Sequence, residues 1–382
     1  MRSIEILDRL IAFPTVSRDP NIELIRHARD LLEAAGVETT LIPDSDGGKA
    51  NLYATIGPKD RPGVMLSGHT DVVPVEGQAW TVDPFRLTER DGRLFGRGAA
   101  DMKGFVAAAL SAAERAATRD LATPLHIALS YDEEVGCLGV RSLIDMLAGA
   151  PVRPAFAIIG EPTNMAVATG HKGKRGLRAT CVGREGHSAL APLALNALHL
   201  AADFIGAVRA AQARIAAEGR RDGDYDVPYT TLHVGRVTGG VALNIVPNRA
   251  EVDFEIRNLA TDDADAILGA LAADADSIAR ATGEPEAAIR FETVMEYPGL
   301  DTAPDAAIVD FVKALTGANG TIKVAFGTEG GLFSDRLGIP AVVCGPGSMA
   351  QGHKPDEYVS REQMAKCDAM LDALLARLAA GL

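Results

Sequence analysis

At 382 residues the chain is too long for one ordinary compact core and suits two domains of unequal size. Its 47% apolar and 23% charged residues exclude a disordered polypeptide, and no apolar run approaches the roughly 18 residues that a membrane span requires. A formal charge of −13 argues against nucleic acid or an anionic membrane as partner and leaves a small molecule as the expected target.

The opening residues, MRSIEILDRLIAFP, lack the charged, apolar and small-residue succession of a secretory signal. They predict a helix capped by Ser3, with Ile4, Leu7, Leu10 and Ile11 on one face and Pro14 ending it. Asp19-Pro20 then opens a second helix carrying Ile22, Ile25, Ala28, Leu31, Leu32 and Ala35, stopped at Gly36. Short apolar runs at Asn51–Ile56, Val64–Leu66, Leu125–Leu129 and Phe156–Ile159 read as strands, and the Ala-rich stretch Gly104–Thr118 as a helix between the second and third. A strand at Ala341–Cys344 and a helix at Arg361–Leu378 continue this alternation, which predicts an α/β sheet flanked by helices.

The middle of the chain has a different pattern. Strand Leu177–Val182, helix Leu193–Ala217, strands Thr230–Val237 and Ala250–Ile256, helix Asp263–Ala281 and strand Ala288–Val294 give the order β-α-β-β-α-β, a split βαβ (ferredoxin-like) unit. The polar stretch Glu218–Asp226 is a solvated loop. Residues 174–299 are therefore expected to be an α+β domain inserted into a catalytic domain formed by 1–173 and 300–382. Cys137, Cys181, Cys344 and Cys367 are scattered without a CxxC pair, which favours reduced thiols in a cytoplasmic protein over disulfides or a cysteine-metal site.

Chemistry-bearing residues fall where these strands end. Val64-Met65-Leu66 runs into Ser67-Gly68-His69-Thr70-Asp71, Leu125–Leu129 into Ser130-Tyr131-Asp132-Glu133-Glu134, and Phe156–Ile159 into Gly160-Glu161. Asp101 opens the Ala-rich helix. In open α/β sheets ligands bind beyond the carboxyl ends of strands, so these groups are positioned to converge. Clustered carboxylates with histidine and without cysteine suit divalent cations. His27, His126, His199 and His233 fall inside helix or strand patterns and read as structural, while His171, in a Gly/Lys-rich loop, stays open between roles. Gly96-Arg97-Gly98-Ala99-Ala100-Asp101 approaches a dinucleotide fingerprint, but its aspartate would repel a pyrophosphate. Gly170–Gly176 lacks the order of a P-loop.

The strings GHTDVVP, GRGAADMKG, YDEEVGCLG, GEPT and GPGSMAQGHKPDEYV, in that order, resemble the successive motifs of the co-catalytic metallopeptidase family. Its members act on N-acyl amino acids and peptides. The resemblance implies two Zn²⁺ per subunit, with Co²⁺ able to substitute. Asp101 would bridge the two ions, Glu134 and His353 would complete one site, and His69 and Glu161 the other. It further implies that Glu133 is the general base, that Asp71 orients His69, and that the Asp101–Met102 peptide is cis. In GREGHSALAP it assigns His187 to the active site of a neighbouring subunit, hence a homodimer formed through the inserted lid domain. Asn244 and Arg257 match substrate-holding positions, although a strand-end salt bridge explains Arg257 nearly as well.

FGTEGGLF and CGPGSMAQGHKPDEYV are most similar to the branch that deacetylates N2-acetyl-L-ornithine. Gly327, Thr328 and Glu329 are then substrate contacts, with Glu329 attracting the ornithine ammonium unless it is merely a surface-loop residue. Alanine is expected where Gly330 and Gly352 stand, a difference that would bear on substrate tuning rather than metal chemistry. Desuccinylase, aminoacylase or carboxypeptidase activity remains the alternative within the family. A non-catalytic metal-dependent binding protein is the alternative outside enzymes, and a nucleotide-dependent oxidoreductase comes last.

Overall fold

A computed structural model describes residues 1–382, and the chain divides into two compact units. The first comprises Met1–Gly170, Leu300–Lys323 and Thr328–Leu382; the second comprises His171–Gly299 and Val324–Gly327. The short return of 324–327 to the second unit was not foreseen. It follows from Gly327, where an added Cβ would lie 2.1 Å from the ring of Tyr297, so only glycine permits this approach.

The first unit is built on a nine-stranded mixed sheet. Its middle is parallel: Val64–His69 lies between Leu125–Ser130 and Phe156–Pro162, and Ala341–Gly345 follows on the far side of the latter. All four strands are buried throughout or nearly so, as befits parallel strands covered on both faces. Ala50–Ile56 and Thr39–Pro43 add an antiparallel edge. The helix Lys103–Ala116 owes its close seat on the sheet to its alanines and to Gly160, whose missing side chain leaves room for Phe105 (an added Cβ would fall 1.9 Å from that ring). The helices Arg2–Ile11 and Arg361–Ala380 pack on this helix.

Helix starts show where local signals misled. Ser3 does not cap the first helix; it lies within Arg2–Ile11, and its hydroxyl donates to Asp368 at 2.6 Å. The second helix is Ile22–Ala34, entered through Asn21 rather than Asp19.

The second unit is a four-stranded antiparallel sheet in the order Thr231–Gly239, Arg249–Arg257, Lys174–Val182, Ala288–Tyr297. Helices Ala197–Glu218 and Ala264–Ala281 complete the split βαβ order and bury the alternate residues Ala250, Val252, Phe254 and Ile256. Phe204, Phe254 and Phe291 meet at centroid distances of 5.3–5.8 Å to form the centre of this core. The first of these helices begins at Ala197, not Leu193, because the Asn196 side chain accepts the Leu198 N–H. Ser188–Leu193 is a separate short 3₁₀ turn containing Pro192.

Candidate metal centre

The parallel strands deliver the acidic and imidazole side chains to one place. His69 is the last residue of its strand and stands beside Ser130 in register, so the loop after Ser130 carries Glu133 and Glu134 to the same end of the sheet. Glu161 is the penultimate residue of the next strand, and His353 comes from the loop beyond Gly345. Asp101 precedes the helix Lys103–Ala116, and its peptide to Met102 is cis.

The two oxygens of Asp101 face different histidines. Oδ1 lies 3.1 Å from His69 Nε2, and Oδ2 lies 3.1 Å from His353 Nε2. Glu161 Oε1 adds a second carboxylate 3.6 Å from His69, and Glu134 Oε2 adds one 3.0 Å from His353. Potential ligand atoms of His69, Glu133 and Glu161, and of His69, Asp101 and Glu134, lie within 4.8 Å of one another in each group. Asp71 joins the two sides: its carbonyl accepts from His69 Nδ1 at 2.9 Å, while its carboxylate accepts the Glu133 N–H at 3.0 Å and the Ser17 hydroxyl at 2.7 Å. His69 Nε2 is thereby directed at the cluster.

Electrostatics state what such a cluster lacks. Burial, reinforced by the other carboxylates, pushes Glu133 and Glu161 well above the ordinary carboxylate range and Glu134 up to about 7. Asp101 stays below its ordinary value because hydrogen bonds from His353 and His69 outweigh burial. His353 is raised to about 10 by its bonds to Asp101 and Glu134; His69 is raised despite burial by bonds to Asp101 and Asp71. Crowded, buried carboxyls of this kind hold protons until a positive charge replaces them. Glu161 Oε2 is buried with no hydrogen-bond partner at all. Oxygen and imidazole donors around an orphaned buried carboxylate oxygen fit divalent cations, whose arrival displaces those protons.

The peptidase family M20/M25/M40 matches residues 65–377. The chain belongs to this family. Acetylornithine deacetylase of Myxococcus xanthus is 36% identical over 380 residues, covering 98% of this chain and 97% of that protein. Acetylornithine deacetylase of Pasteurella multocida (strain Pm70) is 33% identical over 389 residues, covering 99% and 98%. Among solved structures, the M20 family metallo-carboxypeptidase Sso-CP2 from Sulfolobus solfataricus has the same fold, with TM-score 0.79, 19% identity and 98% of each chain covered. YXEP of Bacillus subtilis, described as a dinuclear metal-binding peptidase of the M20 family, matches with TM-score 0.71 and 17% identity over 100% and 98%. The chain is thus an M20 hydrolase, of a metal-dependent kind.

The remaining candidates are placed differently. Asn244 is exposed, and its carbonyl accepts the Ser188 N–H at 3.1 Å beside the short pairing of His187 with Ile245. Arg257 donates to Glu255 and to the Tyr297 hydroxyl, each at 3.1 Å, so a salt bridge does hold it. Thr328 is buried and accepts the Gly330 N–H at 3.0 Å. Glu329 is no surface-loop residue: it is 1% exposed, and both its oxygens are taken by serines. Gly352 also stands closer to the metal centre than expected, since an added Cβ would lie 3.6 Å from Asp101 Oδ2. His171 is buried and held through Nδ1 by the Lys172 carbonyl at 3.0 Å. All four cysteines are free and buried.

Sequence reasoning missed Glu357. Its carboxylate, 1% exposed, accepts the backbone N–H groups of Gly98, Ala100 and Asp101 at 2.9–3.0 Å and the Arg97 guanidinium at 2.7 Å. It therefore fixes the loop that presents Asp101. The available signal was a carboxylate inside HKPDEYV with no surface pattern around it.

Proposed function

We propose that this M20 hydrolase removes the acyl group of an N-acyl amino acid, with N2-acetyl-L-ornithine as its substrate and L-ornithine and acetate as products, using two Zn²⁺ ions per subunit for which Co²⁺ substitutes. The observation that carries the reading is the divided Asp101 carboxylate, one oxygen toward His69 and the other toward His353. Asp101 would be shared by both ions, His69 and Glu161 would complete one set, and Glu134 and His353 the other. Bound there, the ions supply positive charge that lowers the pKa of water toward about 7 and offsets negative charge growing on the amide oxygen.

Glu133 performs the proton work. It is adjacent to Glu134, buried, and held by the Asp71 carboxylate through its own N–H at 3.0 Å. Its carboxylate takes a proton from the attacking water as the water oxygen bonds to the acyl carbon. The same proton passes to the nitrogen as the C–N bond breaks, leaving a free amine and a carboxylic acid, and the acid's remaining proton then moves to the amine to give an ammonium and a carboxylate. An intact base weighs against a purely binding protein, which has no need of one.

His187 fits the complementary task. Its Nδ1 accepts the Ala189 N–H at 3.1 Å, which leaves Nε2 as the N–H donor of this exposed ring. That donor suits the oxyanion of a tetrahedral intermediate. Around it lie uncovered apolar side chains: Leu190 is 58% exposed, Leu193 72%, Val241 87% and Leu243 100%. A second copy of the chain seated there would bury them and bring His187 to the partner's reacting centre.

The test is a panel of N-acetyl, N-succinyl and N-formyl amino acids and dipeptides, assayed before and after chelation. The expected result is the highest kcat/KM on N2-acetyl-L-ornithine, abolished by chelator and restored by Zn²⁺ or Co²⁺. Full activity in chelator, or a clear preference for N-succinyl-diaminopimelate or a dipeptide, overturns the reading.

A further inference from the structure

We propose that Glu329 is a positioning residue that ties together the two strands presenting His69 and the Glu133–Glu134 loop, acting through Ser67 and Ser130 and not on the substrate. The proposal rests on the two-cation reading of the site.

The geometry is a single carboxylate spanning two neighbouring parallel strands. Glu329 Oε2 accepts the Ser67 hydroxyl at 3.2 Å, and Oε1 accepts a short hydrogen bond from the Ser130 hydroxyl. Ser67 lies two residues before His69 and so shares its face of the strand. Ser130 stands beside His69 in register and begins the loop that ends in Glu133 and Glu134. All three polar side chains are 1% exposed. Glu329 itself is fixed from behind. It enters the helix Gly330–Leu337, whose first N–H is accepted by Thr328 Oγ1, and helix N-termini favour a carboxylate. Burial pushes the Glu329 carboxyl up to about 7, a cost that a merely decorative acid would not retain.

Glu329 bonds to neither histidine nor to the candidate ligand carboxylates; its hydrogen-bond partners are the two serines. Its influence therefore travels through backbone: if the serines lose it, the strand ends at His69 and Ser130 are free to shift by fractions of an ångström, and metal sites tolerate such shifts poorly. Partners of this kind typically contribute about 10–100-fold in metal affinity or activity.

The test uses E329Q and the pair S67A/S130A, with chelator-competition titration of Zn²⁺ and steady-state kinetics on two substrates, N2-acetyl-L-ornithine and N-acetyl-L-norvaline, the analogue that lacks the side-chain ammonium. Wild-type protein that takes up no tightly held zinc defeats the two-cation reading itself. With that reading intact, E329Q and S67A/S130A should each weaken zinc binding or lower kcat by about 10–100-fold with KM unchanged for both substrates. The triple variant should be no worse than the serine pair, because all three residues act as one unit. A rise in KM confined to the ornithine substrate would place Glu329 on the substrate ammonium and overturn the proposal. So would unchanged zinc affinity and kcat in both E329Q and S67A/S130A. Should E329Q not fold, the serine pair alone decides between these outcomes.

Discussion

Two groups of acidic residues in this molecule have opposite character. On the outer face of the second unit's sheet, Glu251 and Asp253 sit among Arg178, Arg236 and Arg249, each carboxylate within 2.8 Å of a guanidinium. Hydrogen bonds from Arg249 and Arg178 hold their carboxyls below the ordinary range. In the first unit, Glu133, Glu134 and Glu161 are gathered with histidines, the ion-pair partners of Glu134 and Glu161 are His353 and His69, and burial drives all three carboxyls upward. The ladder is neutralised by the chain itself; the cluster is completed only by something the chain does not encode. That contrast separates structural from functional charge better than either burial or residue type alone.

The sharpest way to break the comparison is within the cluster. E133Q should retain zinc, as measured by elemental analysis, while kcat falls about 10²–10⁴-fold. E134Q should instead lose zinc occupancy. The reverse pattern would show that the adjacent glutamates exchange roles.

His187, proposed above to act on the oxyanion, lies in the second unit and outside the buried cluster. H187A should lower kcat about 10²–10³-fold with zinc content unchanged. Mixed dimers of E133A and H187A subunits discriminate how it acts. If His187 serves the partner's site, one site of each mixed dimer keeps both native residues and activity returns. No recovery under conditions proven to exchange subunits excludes action in trans.

Burial without clustering is the control, and two histidines provide it. His126 in the first unit and His171 in the second are pushed down to about 4 by burial, and each has an unpartnered Nε2. Between pH 6.5 and 4 the unfolded chain protonates these rings while the folded chain leaves them neutral, so stability falls as pH falls through that window. A depression from 6.5 to about 4 corresponds to about 3 kcal/mol for each ring, fully present above pH 6.5. Denaturant unfolding at pH 7.5 and pH 5 should show a shallower pH dependence in H126N and in H171N than in the parent. Parallel curves would mean that acid sensitivity arises elsewhere.

What the sequence made legible follows the same division. The convergence of His69, Asp101, Glu133, Glu134 and Glu161 was readable because each stands near where an apolar strand or helix begins or ends, so one-dimensional pattern and three-dimensional position coincide. Glu357 was missed, and the burial of Glu329 against two serines was not readable, because their partners are remote: Glu357 reaches the Asp101 N–H across 256 positions, and Glu329 reaches Ser67 across 262. Ser3 failed the same way, trading the expected cap for Asp368 across 365 positions. The β-α-β-β-α-β order was readable from periodicity. The true start of its first helix was not, because a run from Leu193 conceals the break between a 3₁₀ turn and the Asn196 cap.

The smallest effect is expected in the ladder, and it tests whether pairing has emptied those charges of functional meaning. Asp253 accepts from Arg178 Nε at 2.8 Å and lies 2.8 Å from Arg236 Nη2, with 28% of its side chain exposed. Its removal therefore exposes two arginines to water instead of stranding them in a dry interior. Solvent screening and the entropy of ordering long side chains reduce such pairs to about 0–1 kcal/mol. D253N should lose no more than that in 0.05 M salt, with kcat, KM and zinc content all unchanged. In 0.5 M salt the Debye length is only a few ångströms, and the difference from the parent should shrink further. A loss of several kcal/mol, or a fall in kcat comparable to that of H187A, would mean that this face carries more than its own neutralised charge, and the contrast between paired and gathered carboxylates would no longer mark the active centre.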